Sequence, residues 1–395
     1  MCKKRRWAGA LLLVLPWMAW AVEIAFPEDA VGDALPVEEV QASLPPSWGS
    51  FLRMEASAFA LLPRRGAGRD EGFLQLEPTL YFDRGAEFIV NLGAPFRFRM
   101  WGEGAGQVRK EDWDSLSDWG RVVRSLQLGT DTSPLGVWFG ALESYSLLSG
   151  HLVRRYSNRL NPDYHPAGGF LTGSLGPAYV EAFASDVLGA RLTGGELEFD
   201  VEHLLFGRPK VPARYTLSVS AVHDWGRAGG ASRPVTLAHM DAAARLVAQR
   251  HFEVHVLAGF GGKPGEGGAW GAVAGVGADM NTDTTWARFR LEGRRQHGGF
   301  RQGFFGPDYE LARFQAAGST GGPLAEVSFP DGYSAYAEAE VKWDSVALAG
   351  PVQRQVAVSV GLEAFSWGRV DVDGRFSVQL LNRDVEVGAG ALVVA

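Results

Sequence analysis

Sulfur chemistry is nearly absent from this chain. Its one cysteine, Cys2, lies in the first residues, so neither a disulfide framework nor thiol catalysis is available. Long apolar runs are missing too. After Ala21 none approaches the roughly 18 residues that a membrane helix needs. Lysine is scarce beyond the N-terminus, where nearly every cation is an arginine. A helical period of convincing length does not occur. With Asp and Glu at 45 against 38 Lys and Arg, the formal net charge is −7. No basic patch offers a footprint for nucleic acid.

What is there begins with an export signal. Lys3, Lys4, Arg5 and Arg6 precede an apolar stretch from Ala8 to Met18 and a small-x-small site at Ala19-Trp20-Ala21. This pattern predicts a cleaved secretory signal over residues 1–21. Residues 22–48 carry Glu23, Glu28, Asp29, Asp33, Glu38 and Glu39 with four prolines and no period. They are expected to form an acidic, largely unstructured periplasmic leader.

From residue 49 to 395 the chain alternates. The clearest stretch is 332–344. Tyr333, Ala335, Ala337, Ala339, Val341 and Trp343 fall on one face, and Ser334, Tyr336, Glu338, Glu340, Lys342 and Asp344 on the other. Successive strand side chains point to opposite faces, so one side suits lipid and the other water, with an aromatic at each end of the apolar side. The same period recurs near 119–129, 135–148, 169–176, 178–187, 190–202, 213–225, 270–280 and 285–295. Between Asp241 and Gln249 the residues favour a helix but alternate with period two, so a strand is expected. Pro95 interrupts one run and predicts a bulge or bend.

These features predict an all-β protein: a single antiparallel transmembrane β-barrel of about 16–18 strands in an up-and-down meander. Heavily charged inner faces and Ala-, Gly- and Val-rich outer faces argue against a soluble sandwich. On the signal, the strand count and the alternation, the chain resembles the porin-like class of Gram-negative outer-membrane barrels. That resemblance implies an outer-membrane location, the lipid bilayer and the barrel-assembly machinery as partners, and no cofactor. The chain departs from the class in ending Ala-Leu-Val-Val-Ala395, without a terminal aromatic.

Lumen-facing charges are the candidate functional residues. Arg97, Arg99, Arg288, Arg290 and Arg294 oppose Glu338, Glu340 and Asp344, as a constriction or as compensating ion pairs. The 288–294 and 332–344 runs are expected on different sectors of the wall, giving a transverse field. The aperiodic 150–168 stretch offers Arg154, Arg155, Tyr156, Arg159 and Tyr164 as a gate if it folds inward, or as an ordinary outer loop. No serine lies in a nucleophile motif. His251, Glu253 and His255 alternate on one face about 6.6 Å apart, too far to share a metal unaided. Neither catalysis nor metal binding is expected. Two functions compete: a porin-like channel for a small hydrophilic solute, and a non-catalytic barrel in an envelope-spanning machine for polysaccharide export or motility, docking periplasmic or lipoprotein partners.

Overall fold

A computed structural model describes residues 49–61, 71–83, 88–102, 116–129, 134–159, 166–189, 191–207, 213–226, 234–265, 267–310, 329–344, 355–380 and 385–394, with isolated residues between 103 and 115. The expected signal peptide and leader, most of the 102–117 loop, Tyr164, His165 and nearly all of 315–331 lie outside the described residues.

One sheet holds every strand. The strands are β1 (Gly49–Leu61), β2 (Glu71–Asp83), β3 (Phe88–Gly93), β4 (Phe96–Trp101), β5 (Val123–Leu128), β6 (Leu135–Gly140), β7 (Gly168–Leu175), β8 (Ala178–Ala184) and β9 (Leu192–Asp200). They continue as β10 (Tyr215–Asp224), β11 (Val235–Gln249), β12 (Phe252–Gly262), β13 (Trp270–Asn281), β14 (Thr285–His297), β15 (Gly332–Asp344), β16 (Gln355–Phe365), β17 (Val370–Leu380) and β18 (Val385–Val394). β3 and β4 both pair with β2 and are separated only by Ala94 and Pro95, so they are halves of one broken strand. Counting them once leaves 17 staves among the described residues. Consecutive staves pair antiparallel, and β18 returns to pair with β1. The ring of pairings closes. Each connection reverses the chain, so an odd number of staves leaves the first and last running the same way. The β1–β18 pair is accordingly parallel, with Met54 opposite Val385 and Ala58 opposite Ala389.

Burial is inverted relative to a water-soluble protein. Leu217, Val219, Met240, Phe260, Val276 and Leu291 are exposed, whereas Glu196, His239, Glu292, Arg294, Glu338 and Glu363 are buried. An exposed apolar surface over a charged interior requires a lipid-like surround. β15 matches its expected span and register. Its even-numbered face points inward through Ser334, Tyr336 and Glu338, while Tyr333 is 64% exposed. Tyr333 and Trp343 are ten residues apart, about 33 Å along the strand, or about 25 Å at the usual tilt of about 40°. That is the height of a lipid-facing band.

Several sequence expectations are corrected. β14 and β15 are neighbours, with Arg288 opposite Glu340 and Arg290 opposite Glu338. Opposite charges at one height on adjacent strands cancel locally, so they produce no field between distant sectors. The 135–148 run stops being a strand at Gly140, whose φ is 140° and where a β-carbon would meet the Arg124 carbonyl. From there the chain turns inward. The 119–129 run starts as a 3-10 helix over Leu116–Val122. The 190–202 run ends at Asp200, which caps a short helix, α1 (Val201–Phe206). β11 is a strand as its period implied, with a bulge between Arg245 and Val247.

The connections are unequal at the two ends. Residues 176–177, 250–251 and 282–284 turn tightly at one end, whereas 141–167 and 298–331 leave from the other.

Candidate functional site: the inward segments

Two of the long connections fold into the lumen. The first, 141–159, follows β6. The second, 298–310, follows β14. They meet inside, where Val153 bridges Phe305, the Arg154 N–H donates to the Phe305 carbonyl at 3.2 Å, and Phe305 N–H to the Leu152 carbonyl at 3.1 Å. Leu142, Leu147, Leu152, Val153 and Tyr156 pack with Phe300, Phe304, Phe305 and Tyr309 against inward residues of the wall, among them Phe183, Leu192, Val222 and Leu237. A barrel this wide has an interior that side chains from the wall alone do not fill. Here the folded-in segments supply an apolar core.

Polar contacts tie that core to the wall at many angles. The Tyr145 hydroxyl donates to Glu181 of β8. Ser149 N–H and Oγ each donate to Glu196 Oε2 of β9, both at 3.1 Å. Tyr309 donates to Asp224 of β10, and Tyr156 to Glu310 of the other inward segment. On the far side Arg154 Nε donates to Glu338 of β15 at 2.6 Å and to the Tyr336 hydroxyl at 3.1 Å. Arg155 Nε donates to Asp373 of β17 at 2.7 Å. Arg301 reaches Glu363 of β16 at 3.2 Å and Asp371 of β17 at 2.9 Å. Arg159 donates to the carbonyls of Gly120 and Val123 at 3.0 and 3.1 Å, beside β5. The attachments thus run from β5 round to β17.

Electrostatics follow from this geometry. Burial opposes the Arg154 cation, but the Tyr336 and Glu338 oxygens outweigh it and raise its pKa. Arg159 lies mainly among carbonyls, and loss of water lowers its pKa to about 10. Arg155 holds a positive φ of 51°, uncommon for a side-chain-bearing residue, and is 1% exposed. Its place is fixed by the carboxylates it clasps.

A second cluster joins His151 of the first segment to His239 and Asp241 of β11. One Asp241 oxygen bonds His151 Nδ1, and the other bonds His239 Nδ1 at 2.8 Å. Arg290 donates to His151 Nε2 at 2.7 Å. Glu292 Oε1 stands 3.5 Å from the same Nε2, so His151 sits between two carboxylates and a guanidinium. The cluster is a hydrogen-bonded clasp. A further group, Glu253, His255 and Asp279, lies close enough for one ion. Its carboxylates are engaged by Arg245 at 3.0 Å and Arg288 at 2.7 Å.

Of the residues singled out from sequence, Arg154, Arg155, Tyr156, Arg290, Arg294, Glu338 and Glu340 converge here, while Arg159 anchors the β5 side. Arg97 bonds Gln75 at 2.8 Å, Arg99 lies 5.7 Å from the Phe73 ring, and Arg288 pairs with Asp279. Arg97 also stands close enough to Glu143 of the first inward segment to act on its charge. Asp344 ends β15, where its N–H reaches the Thr284 carbonyl. Sequence reasoning missed Tyr309, Glu310 and Arg301. The available signal was the run Phe300-Arg-Gln-Gly-Phe-Phe-Gly-Pro-Asp-Tyr-Glu310, rich in aromatics without a strand period.

The architecture is that of an outer-membrane β-barrel. Solved structures aligned with it include a BenF-like porin from Pseudomonas fluorescens Pf-5, at 9% identity over 88% of this chain and 92% of that one, with a TM-score of 0.39. OmpT of Vibrio cholerae aligns at 11% identity over 88% and 93%, with a TM-score of 0.35. Wzi, a carbohydrate-binding barrel involved in group 1 capsule assembly in Escherichia coli, aligns at 12% over 89% and 80%, with a TM-score of 0.42. No family model and no curated protein matches the sequence.

Proposed function

We propose that this protein is a non-catalytic outer-membrane barrel with a filled lumen, a component of an envelope-spanning assembly whose work is done at its rims. One observation carries the reading: inward segments with their own apolar core, attached from β5 to β17. A porin that passes solutes by diffusion needs a continuous watery path. Among the described residues, the inward segments instead set packed phenylalanine, tyrosine and leucine side chains within this interior. The porin-like channel expected from sequence is therefore the weaker alternative, and the structural component the stronger.

Planar-bilayer recording separates them. The purified protein is expected to give no large, reproducible conductance steps. A variant in which residues 142–159 are replaced by a short Gly-Ser linker is expected to give them. Steps of porin size from the unaltered protein would refute the filled-lumen reading.

A further inference from the structure

Helix α1 is well built but buries nothing. The Asp200 carboxylate accepts the His203 N–H at 3.1 Å, and Gly207, at φ 64°, closes the other end with its N–H on the His203 carbonyl at 2.8 Å. Caps of this kind fix a helix in place. Yet none of its residues is buried. Leu204, Leu205 and Phe206 are 58%, 67% and 72% exposed. A short peptide helix is unstable in water without an apolar face to cover.

Its position says what covers it. α1 links β9 to β10 at the end of the barrel with the tight turns, and Asp200 N–H bonds the Pro177 carbonyl of the neighbouring β7–β8 turn at 2.9 Å. Beside that turn β7 ends in Leu175, 83% exposed. The outward residues of the adjoining strands, Leu197, Tyr215, Leu217 and Val219, are exposed apolar side chains of the lipid-facing wall. The apolar surface of the helix therefore adjoins that wall. Directly after the helix the sequence runs Arg208-Pro-Lys210-Val-Pro-Ala-Arg214, three cations and no acid in an otherwise acidic chain. The Arg214 guanidinium lies 5.3 Å from the Tyr215 ring centre. Leucine and phenylalanine beside a basic run form the chemistry of an interfacial anchor on anionic lipid.

We infer that α1 is a membrane-surface anchor, its Leu204-Leu205-Phe206 face seated in the headgroup region of the leaflet at the tight-turn end. The anchor fixes the barrel's depth and rotation at β9–β10. This rests on the membrane reading of the barrel, and the test keeps the two apart.

With Cys2 replaced by serine, Leu205→Cys provides a single labelling site for an environment-sensitive fluorophore in the full chain. Leu217→Cys, on the outer wall, is the parallel probe. Both proteins are reconstituted in phosphatidylethanolamine–phosphatidylglycerol vesicles doped with phosphatidylcholine spin-labelled at carbon 5 or carbon 12. The Leu205 probe is expected to be quenched roughly twofold more by the shallow label than by the deep one. No quenching at Leu205 alongside quenching at Leu217 would overturn the anchor and leave the barrel standing, with α1 in water or against a protein partner. Stronger quenching from carbon 12 would also overturn the interfacial placement. Loss of quenching at both sites would overturn the membrane reading itself.

Discussion

Arg155 lies against Gly361. A β-carbon at residue 361 would stand 3.1 Å from Arg155 Nε and 2.5 Å from Asp373 Oδ1. The absent side chain lets the inward segment reach the wall, because the guanidinium and the carboxylate meet over the glycine. Gly361→Val is therefore expected to push the Arg155–Asp373 clasp apart. Arg155 is 1% exposed, so trypsin should cut poorly after it in the native protein. The variant should be cleaved at Arg154 or Arg155 on the order of tenfold faster, since local opening governs proteolysis. Equal cleavage rates would show that the clasp does not hold the segment.

Arg154 and Glu338 form a buried pair supported by the Tyr336 hydroxyl, which donates to the same carboxylate at 2.6 Å. Removing one member of such a pair leaves an uncompensated charge, which costs about 3–5 kcal/mol, whereas apolar replacement of both members is often close to neutral. Arg154→Ala should thus lower the denaturation midpoint in detergent well below that of the double variant Arg154→Met with Glu338→Leu. Equal destabilisation by the single and double changes would show that the uncompensated charge does not set the cost at this site.

Much of the wall was legible in the sequence, and the lumen was not. Alternation shows a strand and its face because each outer position must suit lipid. β15 was readable to the residue for that reason. Neighbourhood was misread at β14 and β15 because one mainly basic and one mainly acidic inner face suggested separate sectors, although successive strands of a meander pair however long the loop between them. The partners inside the barrel lie far apart in the chain: Arg155 and Asp373 are separated by 218 positions. No local period encodes such a contact. Arg154, Arg155 and Tyr156 drew notice as polar residues in an aperiodic stretch. Phe300 to Glu310 did not, because its aromatics could equally belong to an outer loop.

Tyr309 donates its hydroxyl to Asp224, which also accepts the Gly226 N–H at 2.8 Å through its other oxygen. Tyr309 is 2% exposed and packs edge-on to Phe305, with ring centres 4.9 Å apart. Tyr309→Phe keeps the ring and removes one donor from a buried carboxylate. The expected loss is about 1–3 kcal/mol, read as a lower midpoint with unchanged barrel spectra. Tyr309→Ala should cost more, because it also removes the ring from the inner apolar cluster. A phenylalanine variant as stable as the native protein would show that the hydroxyl contributes nothing.

The parallel closure is testable by cross-linking. Ser57 stands opposite Gly388 in the β1–β18 register, and five successive pairs advance in the same direction along both strands. An even-stranded meander would close antiparallel and reverse that advance. In a chain whose only native cysteine is replaced, Ser57→Cys with Gly388→Cys should form an intramolecular disulfide on mild oxidation, because facing strand positions lie within disulfide reach. Two further pairs fix the direction. Met54→Cys with Val385→Cys and Ala58→Cys with Ala389→Cys should also cross-link, whereas Met54→Cys with Ala389→Cys should not, being four residues out of register, about 13 Å along the strand. Cross-linking of that last pair in place of the first three would mean an antiparallel seam, and with it an even number of staves.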